Sequence, residues 1–174
     1  MQTLTIRPAA FSDIVAITRV YADAVRDGTA TFEIEPPGET EMARRQKILL
    51  DGGYPYLVAT TADAVAGYAY AGPYRARPAY HWSVEDSIYV APEMHRRGIG
   101  GFLLARLIAE SAARGFRQMI AVIGDSAQVG SIAVHAKAGF SHIGTLRSVG
   151  FKHGQWLDTV LMQRALGSGD TTPP

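Results

Sequence analysis

Hydrophobic and polar positions along the chain follow strand and helix periods, and their order predicts the elements β, α, α, β, β, β, α, β, α, β, β. The predicted strands cover residues 4–8, 56–61, 65–71, 84–90 and 118–123, with two more in a hairpin that turns at His153-Gly154 and ends near residue 164. The predicted helices cover residues 13–27, 40–50, 99–114 and 129–137. Ala62-Asp63 is predicted to be the tight turn of an antiparallel hairpin. The third helix is predicted to bury Phe102, Leu103, Leu107 and Ile108.

Length and composition predict one domain. At 174 residues, with 47% hydrophobic and 19% charged residues, the chain can bury one core and is too short for two ordinary domains. We expect this domain to cover residues 1–166 and residues 167–174 to be a flexible tail. The net charge of +1, from 17 basic and 16 acidic residues, argues against a surface that coats nucleic acid.

The lack of cysteine and of long apolar runs narrows the chemistry and the compartment. Without cysteine the chain cannot form disulfides, thiolate metal sites or an acyl-cysteine intermediate. The N-terminus has no apolar core of signal-peptide type, and no run approaches the roughly 18 apolar residues of a membrane span. We therefore expect a cytoplasmic protein that does not bind membranes.

Residues 87–104 join a buried strand to an amphipathic helix through a basic, glycine-rich loop. Main-chain amides in the first turn of a helix have no partner within it and point beyond its N-terminus. Gly98, Gly100 and Gly101 would let a ligand approach the main chain, and Arg96 and Arg97 add positive charge. The loop matches neither the triphosphate-binding nor the dinucleotide-binding fingerprint. It predicts a cradle for another diphosphate carrier; the alternative is a basic loop that only starts a helix.

Glu85 is a candidate general base, because it interrupts an apolar run just before the glycine loop. Burial disfavours the charged form of a carboxylate and would raise its pKa toward working pH. The alternative is a solvent-facing glutamate near a sheet edge. Asp86 must face the other side of the sheet, since strand side chains alternate, so we do not expect these two carboxylates to act as a pair.

His135 is a second candidate, on the fourth predicted helix and one turn after Ser131. Its helix follows the strand beside the predicted cradle, so its side chain could reach the same cleft. The alternative is a structural histidine. His81, His142 and His153 are scattered without the spacing of metal ligands, and we expect no metal.

Arg75 and Arg77 lie in an aromatic loop with Tyr74 and Tyr80. Paired guanidinium groups suit the bidentate capture of a carboxylate or phosphinate, although surface salt bridges would explain them as well. Phe32 is an aromatic residue in a polar loop, and its ring either lines a pocket or plugs the core.

Taken together, these features and several short sequence motifs make the chain resemble a known superfamily, the GNAT acetyl-CoA-dependent N-acetyltransferases. The resemblance runs from Ile6-Arg-Pro-Ala to about Gln163 and includes the order of elements, Val90-x-Pro92 before the loop and Ala138-Gly-Phe140 after it. More specifically, the chain looks like the phosphinothricin and methionine sulfoximine acetyltransferase family. The strings that carry this closer resemblance are TFE at 31–33, GYAYAGPYRAR at 67–77, AYHWSVE at 79–85, AVIG at 121–124 and GTLRSVGFKHGQWLD at 144–158.

The resemblance implies an α/β (α+β) fold: a mixed central sheet of about six to seven strands with about four helices, splayed at the acetyl-CoA site. Acetyl-CoA would be the co-substrate and would lie between the strand that ends at Val90 and the strand that ends near Ile123. The residues implied to bind it are Ile88, Tyr89, Val90, Arg96, Arg97, Gly98, Ile99, Gly100, Gly101, Gln128 and Ser131. Two positions depart from the family's pattern: His95 replaces a Gln or Arg, and Gln128 replaces an Asn. The longer side chain of Gln128 carries the same amide, which would bond the pantetheine arm or the helix start.

In family terms Glu85 is the base, His135 lies at the active-site end, and the segment with Arg75 and Arg77 faces the amino-acid substrate. The implied activity is direct transfer of the acetyl group to the amine of a small amino-acid-like substrate. The alternatives are a protein or peptide N-acetyltransferase, which needs an open groove, and a non-catalytic CoA-binding sensor. Because relatives are commonly homodimers, we expect a homodimer in which residues 151–156 help to complete the partner's pocket.

Overall fold

The computed structural model describes residues 4–62 and 64–174, and its centre is one mixed, seven-stranded sheet. The strands are β1 (Thr5–Pro8), β2 (Tyr56–Thr60), β3 (Val65–Pro73), β4 (Ser83–Val90), β5 (Gln118–Gly124), β6 (Ser141–Lys152) and β7 (Gln155–Ala165). Their order is β1-β2-β3-β4-β5-β7-β6. The pair β4 and β5 is parallel and the other pairs are antiparallel, which confirms the predicted mixed sheet. Asp63, half of the predicted tight turn, lies outside the described residues.

Four α-helices cover the described part of the sheet: α1 (Ile14–Asp27), α2 (Glu39–Asp51), α3 (Ile99–Ala113) and α4 (Val129–Lys137). Their bounds agree with the predicted helices to within one residue at each end. Across residues 4–62 and 64–174, none of the helices combines the length and apolar character that a membrane crossing requires.

The helices pack on both faces of the sheet and bury two sets of side chains. On one face Ile17 and Tyr21 of α1 pack with Val58 and Tyr68. On the other face Leu103 and Leu107 of α3 pack against the small side chains of β3 and the apolar residues of β5 and β7. Burial of such fully enclosed aliphatic side chains contributes roughly 1.5–3 kcal/mol each. The prediction for Phe102 was wrong: its side chain is 59% exposed, because position 102 falls on the outer side of α3 near the glycine loop.

The chain after Leu166 lies against the start of β5, next to Arg117. Arg117 contacts the side chain of Ser168 and donates hydrogen bonds to the carbonyls of Gly169 (3.3 Å) and Pro173 (3.1 Å). The flexibility expected for residues 167–174 stays a prediction.

The sheet opens between its two parallel strands. Residues Ser83 to Asp86 pair with Gln118 to Ala121, and the pairing stops there. Beyond that point the rest of β4 stays with β3, and the rest of β5 stays with β7. The separated halves leave a gap at the carboxyl ends of β4 and β5, as the predicted splay requires.

Candidate active site

The gap between β4 and β5 is a cleft whose walls come from the main chain of both strands and from α4. Its lining consists of Ala30, Asp86, Ser87, Ile88, Tyr89, Ala121, Val122, Ile123, Gly124, Gln128, Ser131 and His135. Of the residues implied to bind acetyl-CoA, Ile88, Tyr89, Gln128 and Ser131 line the cleft. The carbonyl of Val90 instead accepts a hydrogen bond from His95 Nε2 at 2.9 Å. The departure at His95 thus has a local role, since its ring fixes the end of β4.

The glycine loop leads from β4 into the N-terminus of α3. Gly98 has φ +79°, a left-handed conformation that favours glycine, and it precedes the first helical residue, Ile99. The first intrahelical bond runs from the amide of Phe102 to the carbonyl of Gly98, at 3.1 Å, and no side chain of the described residues caps the helix. The amides of Gly100 and Gly101 therefore have no partner within the helix, and anion binding there stays a prediction. A Cβ at position 101 would meet no atom within 4 Å, so the cradle is open there.

Glu85 lies on the sheet face that carries α1 and α2. Its register partners are Gly72 on β3 and Ile120 on β5, and the charge of its carboxylate acts on the phenol of Tyr70, which belongs to the same face. Burial raises the pKa of Glu85, the charge of Asp86 raises it further, and the charge of Arg75 opposes the rise. Glu85 is not among the residues that line the cleft; it lies one residue before the point where β4 and β5 separate. A half-buried carboxylate with a raised pKa at this place has the environment that suits a general base.

Asp86 and His135 form a buried pair on the opposite face. His135 Nε2 lies 2.9 Å from Asp86 Oδ2, and His135 Nδ1 lies 2.8 Å from the carbonyl oxygen of Ser131. Burial alone would lower the pKa of His135, but the hydrogen bond and the charge of Asp86 more than offset this and raise it. Both ring nitrogens are already bonded, so His135 has no free nitrogen with which to protonate a ligand directly.

The loop between α1 and α2 crosses the end of the cleft and is held from both sides. Gln128 Nε2 donates to Thr29 Oγ1 at 3.0 Å, and Lys152 Nζ donates to the carbonyl of Thr31 at 2.9 Å. The amide of Gln128 thus binds this loop rather than the start of α4. Lys152 is only 3% exposed, and burial lowers its pKa, while the charge of Glu33 opposes that change.

Phe32 lies in the same loop, with its ring over two glycines. A Cβ on Gly150 would lie 2.4 Å from that ring, and one on Gly124 would lie 3.0 Å from it. The ring needs both glycines, and it stays 37% exposed beside the cleft. Phe32 therefore closes the packing of the loop, while its role in lining a substrate pocket stays a prediction.

Arg75 and Arg77 are exposed in the connection between β3 and β4, where the guanidinium of Arg75 lies 5.1 Å from the ring centre of Tyr74. Within residues 4–62 and 64–174 neither arginine forms an ion pair, so structural salt bridges do not account for them. A cavity of about 230 Å³ lies beside the strand of Glu85. Its lining consists of Tyr74, Tyr80, Ser83, Ile120, Ile143, Leu161, Met162 and Gln163.

Sequence reasoning missed two buried polar residues near the cleft. The alternation of side chains along β4 separates Asp86 from Glu85 but does not identify the partner of Asp86. That partner is His135, on the helix that packs against the same face. No local sequence pattern indicates that Lys152 is buried, because its hydrogen-bond partner, the carbonyl of Thr31, is 121 positions away in the chain. Among the described residues no group of three or more metal-type ligands comes together, and the absence of a metal stays a prediction.

Comparison with known proteins places this architecture in one family. Residues 17–140 match the model of the acetyltransferase (GNAT) family. The chain is 51% identical over 170 residues to phosphinothricin N-acetyltransferase of Alcaligenes faecalis, which covers 98% of this chain and 86% of that protein. It is 36% identical over 173 residues to L-methionine sulfoximine/L-methionine sulfone acetyltransferase of Pseudomonas aeruginosa, with 97% and 98% covered.

A solved structure agrees in fold over almost the whole chain. The GNAT superfamily phosphinothricin acetyltransferase (Pat) from Sinorhizobium meliloti, in complex with AcCoA, superposes with a TM-score of 0.96. The two chains are 50% identical, and the match covers 99% of this chain and 93% of the other. The seven-stranded sheet with its open parallel pair is therefore the fold of an acetyl-CoA-binding relative.

Proposed function

The chain belongs to the GNAT family of acetyltransferases, and we propose that it moves the acetyl group of acetyl-CoA to the amine of a small, anionic, amino-acid-like substrate. Phosphinothricin and methionine sulfoximine, the substrates named for its relatives, represent this class. The observation that carries the proposal is the position of Glu85: a half-buried carboxylate with a raised pKa at the point where the sheet opens.

On the donor side, acetyl-CoA fits the cleft and the cradle. Main-chain groups of Ile88 to Val90 would hold the pantetheine arm, and Ser131 would line its path. The free amides at the start of α3, with Arg96 and Arg97 beside them, would hold the pyrophosphate. Acetyl-CoA supplies the activated acyl group, and the protein supplies position and charge.

On the acceptor side, Arg75 and Arg77 would bind the anionic group of the substrate and Phe32 would bound its pocket. The substrate ammonium loses a proton to Glu85, directly or through water, and its nitrogen then forms a bond to the acetyl carbon. The carbon–sulfur bond breaks, and its electron pair leaves with sulfur. The second proton that the nitrogen loses in forming the amide passes through water to the thiolate, which gives CoA thiol. A main-chain amide near Val90 would stabilise the oxyanion. Holding both reactants side by side contributes roughly 7–11 kcal/mol in well-aligned cases, so no covalent enzyme intermediate is needed.

His135 would support the departing thiolate by charge. Its two bonded nitrogens disfavour direct proton donation. We further propose that the reaction takes place in the cytoplasm, which supplies acetyl-CoA.

Release of CoA thiol from acetyl-CoA tests this proposal. We expect saturable release with phosphinothricin or methionine sulfoximine, slower release with other free amino acids, and little with a peptide. Turnover with the peptide alone would move the activity to protein acetylation. Binding of acetyl-CoA without turnover on any amine would identify a sensor, and either result would reject the proposal.

Position 101 offers a matched test of the cradle, since a Cβ there would meet no atom within 4 Å beyond the backbone of its own helix. We expect Gly101→Ala to change the KM for acetyl-CoA little and Gly101→Glu to raise it about ten-fold, equivalent to roughly 1.4 kcal/mol, because the new carboxylate repels the pyrophosphate. A carboxylate in the first helical turn is favourable for the helix itself, so Tm is not expected to fall. Steady-state kinetics with acetyl-CoA varied would measure this; equal KM values in the two variants would place the pyrophosphate elsewhere.

We also propose that the protein works as a homodimer. Five apolar side chains on the edge strand β6 and on β7 are each more than half exposed: Ile143, Leu146, Val149, Phe151 and Trp156. The rings of Phe151 and Trp156 lie 5.3 Å apart and form part of this surface. Exposed apolar side chains grouped at a sheet edge favour protein association.

Sedimentation velocity tests the dimer directly. We expect wild type at twice the chain mass and Trp156→Glu at the single-chain mass, with Phe11→Glu, a change at an exposed apolar residue elsewhere, still dimeric. A monomeric wild type would contradict the proposal.

A further inference from the structure

The Asp86–His135 pair lies at the closed end of the cleft. Asp86 is the last residue of β4 that pairs with β5, opposite Ala121, and the sheet opens immediately after it. The side chains of His135 and Asp86 are 5% and 2% exposed, and both residues line the cleft. Burial of an ionisable pair carries a desolvation penalty, so its place at this point of the fold calls for a role other than stability.

The hydrogen bonds determine how many protons the pair holds. The carbonyl of Ser131 can only accept, so His135 Nδ1 carries a proton. The contact of 2.9 Å between Nε2 and Asp86 Oδ2 needs one more proton, either on the ring or on the carboxyl group. In both cases one proton is shared between the two side chains, and the pair has no net charge.

Asp86 has a further free acceptor. Its second oxygen, Oδ1, is buried and makes no hydrogen bond with the described residues. The imidazole is fixed from its other side by the ring of Phe140, which packs edge-on at 5.0 Å between ring centres. The imidazole is therefore held from several sides, and Asp86 keeps one buried oxygen without a partner among the described residues.

We propose that Asp86 is a positioning residue for the acetyl transfer: it holds His135 with one shared proton at the closed end of the cleft, so that this end carries no negative charge when sulfur leaves. This role rests on the proposed function. While the proton is shared, the imidazolium form is accessible and can balance the charge that develops on sulfur. Once the proton is lost, the carboxylate of Asp86 repels the thiolate and slows breakage of the carbon–sulfur bond.

Few other titratable groups near the cleft could produce the same change of rate with pH as loss of the proton shared by Asp86 and His135. Among the residues lining the cleft, the only other titratable side chain is Tyr89, and burial holds its pKa well above the ordinary value. Glu85, on the opposite face, is coupled to Asp86 through charge and controls the amine rather than the thiolate. Glu85 and the Asp86–His135 pair therefore control opposite limbs of the pH profile of kcat. Glu85 must lose its proton, which sets the acid limb, and the Asp86–His135 pair must keep its shared proton, which sets the alkaline limb.

Nitrogen NMR of the full chain tests the shared proton without any need for turnover. The chain has five histidines, and His135→Gln assigns the signal of interest by removing it. In wild type we expect His135 Nδ1 to stay protonated and the shared proton to persist above the pH at which an ordinary histidine titrates. Ordinary titration of His135 in wild type would overturn the proposal, whatever the kinetics of the variants show.

Kinetics test the role in the reaction. We expect Asp86→Asn to lower kcat about ten-fold, to leave the KM of the amine nearly unchanged and to move the alkaline limb of the kcat profile to lower pH. Because Asp86 acts through His135, the double variant Asp86→Asn/His135→Gln should be no slower than His135→Gln alone. If folded Asp86→Asn kept the kcat and the pH profile of wild type, the Asp86–His135 pair would have a structural role only, and the proposal would be rejected. If wild type acetylated no amine, the proposed function and the kinetic role of Asp86 would fail together, whereas the NMR result would still report on the shared proton.

Discussion

Glu85→Gln is expected to lower kcat/KM for the amine about 100-fold near neutral pH, within the range of roughly 10²–10⁴ that a positioned general base contributes. Glutamine keeps the size of the side chain and its place on β4, but it cannot accept a proton from the substrate ammonium. The variant must then rely on the small fraction of amine that is already deprotonated in solution.

The pH dependence distinguishes loss of the base from loss of the fold. Burial raises the pKa of Glu85, so the ionised form is disfavoured in the folded state. A carboxyl group of this kind makes folding stability fall as pH rises above its unfolded pKa. Glu85→Gln removes that penalty and should be at least as stable as wild type at neutral pH. The difference in activity should narrow as pH approaches the pKa of the amine.

Glu39→Gln is the matched control, since Glu39 is an exposed glutamate at the start of α2. Steady-state rates and Tm measured across pH for wild type and both variants would decide the matter. Full turnover of folded Glu85→Gln at every pH would remove Glu85 from the role of base.

Arg75→Ala is expected to raise the KM for phosphinothricin or methionine sulfoximine about ten- to one-hundred-fold, because a hydrogen bond to a charged group contributes roughly 1.5–3 kcal/mol. Arg77→Ala should act in the same direction. Both side chains are exposed and without ion pairs among the described residues, so their removal should leave Tm unchanged.

Arg75 has a second expected effect, on the pH profile. Its charge lowers the pKa of Glu85, so Arg75→Ala should raise that pKa and move the acid limb of kcat to higher pH. The controls are Arg26→Ala, at an exposed arginine of α1, and an amine substrate without an anionic group. Equal KM values for the anionic substrate in Arg75→Ala, Arg77→Ala and wild type would place the anion site elsewhere.

The elements of the fold could be predicted from the sequence because their signals are local. The α4 helix agrees with its prediction at both ends, since Ala138-Gly139 stops it. Position 102 was harder, because helical periodicity does not say which apolar residue lies at the edge of the buried stripe. Phe102 faces outward near the cradle instead.

The parts of the candidate site that lie within one continuous segment could be predicted from the sequence. The contacts between residues far apart in the chain could not. The glycine loop and Glu85 lie within one strand–loop–helix unit, and the alternation of side chains correctly separated Glu85 from Asp86. By contrast, the partners Asp86 and His135 are 49 positions apart, and Gln128 and Thr29 are 99 apart. Contacts at such separations depend on how the sheet is ordered, which neither periodicity nor composition reports.

A competition assay tests the central claim most directly. Acetyl-CoA would be mixed with equal amounts of phosphinothricin, methionine sulfoximine, a neutral amine and a peptide, and mass spectrometry would measure each acetylated product. We predict that wild type acetylates the two anionic amino-acid analogues first, and that the Arg75→Ala/Arg77→Ala variant loses this preference while still acetylating the neutral amine. Preferential acetylation of the peptide by wild type, or a product distribution that does not change in the double variant, would contradict the account.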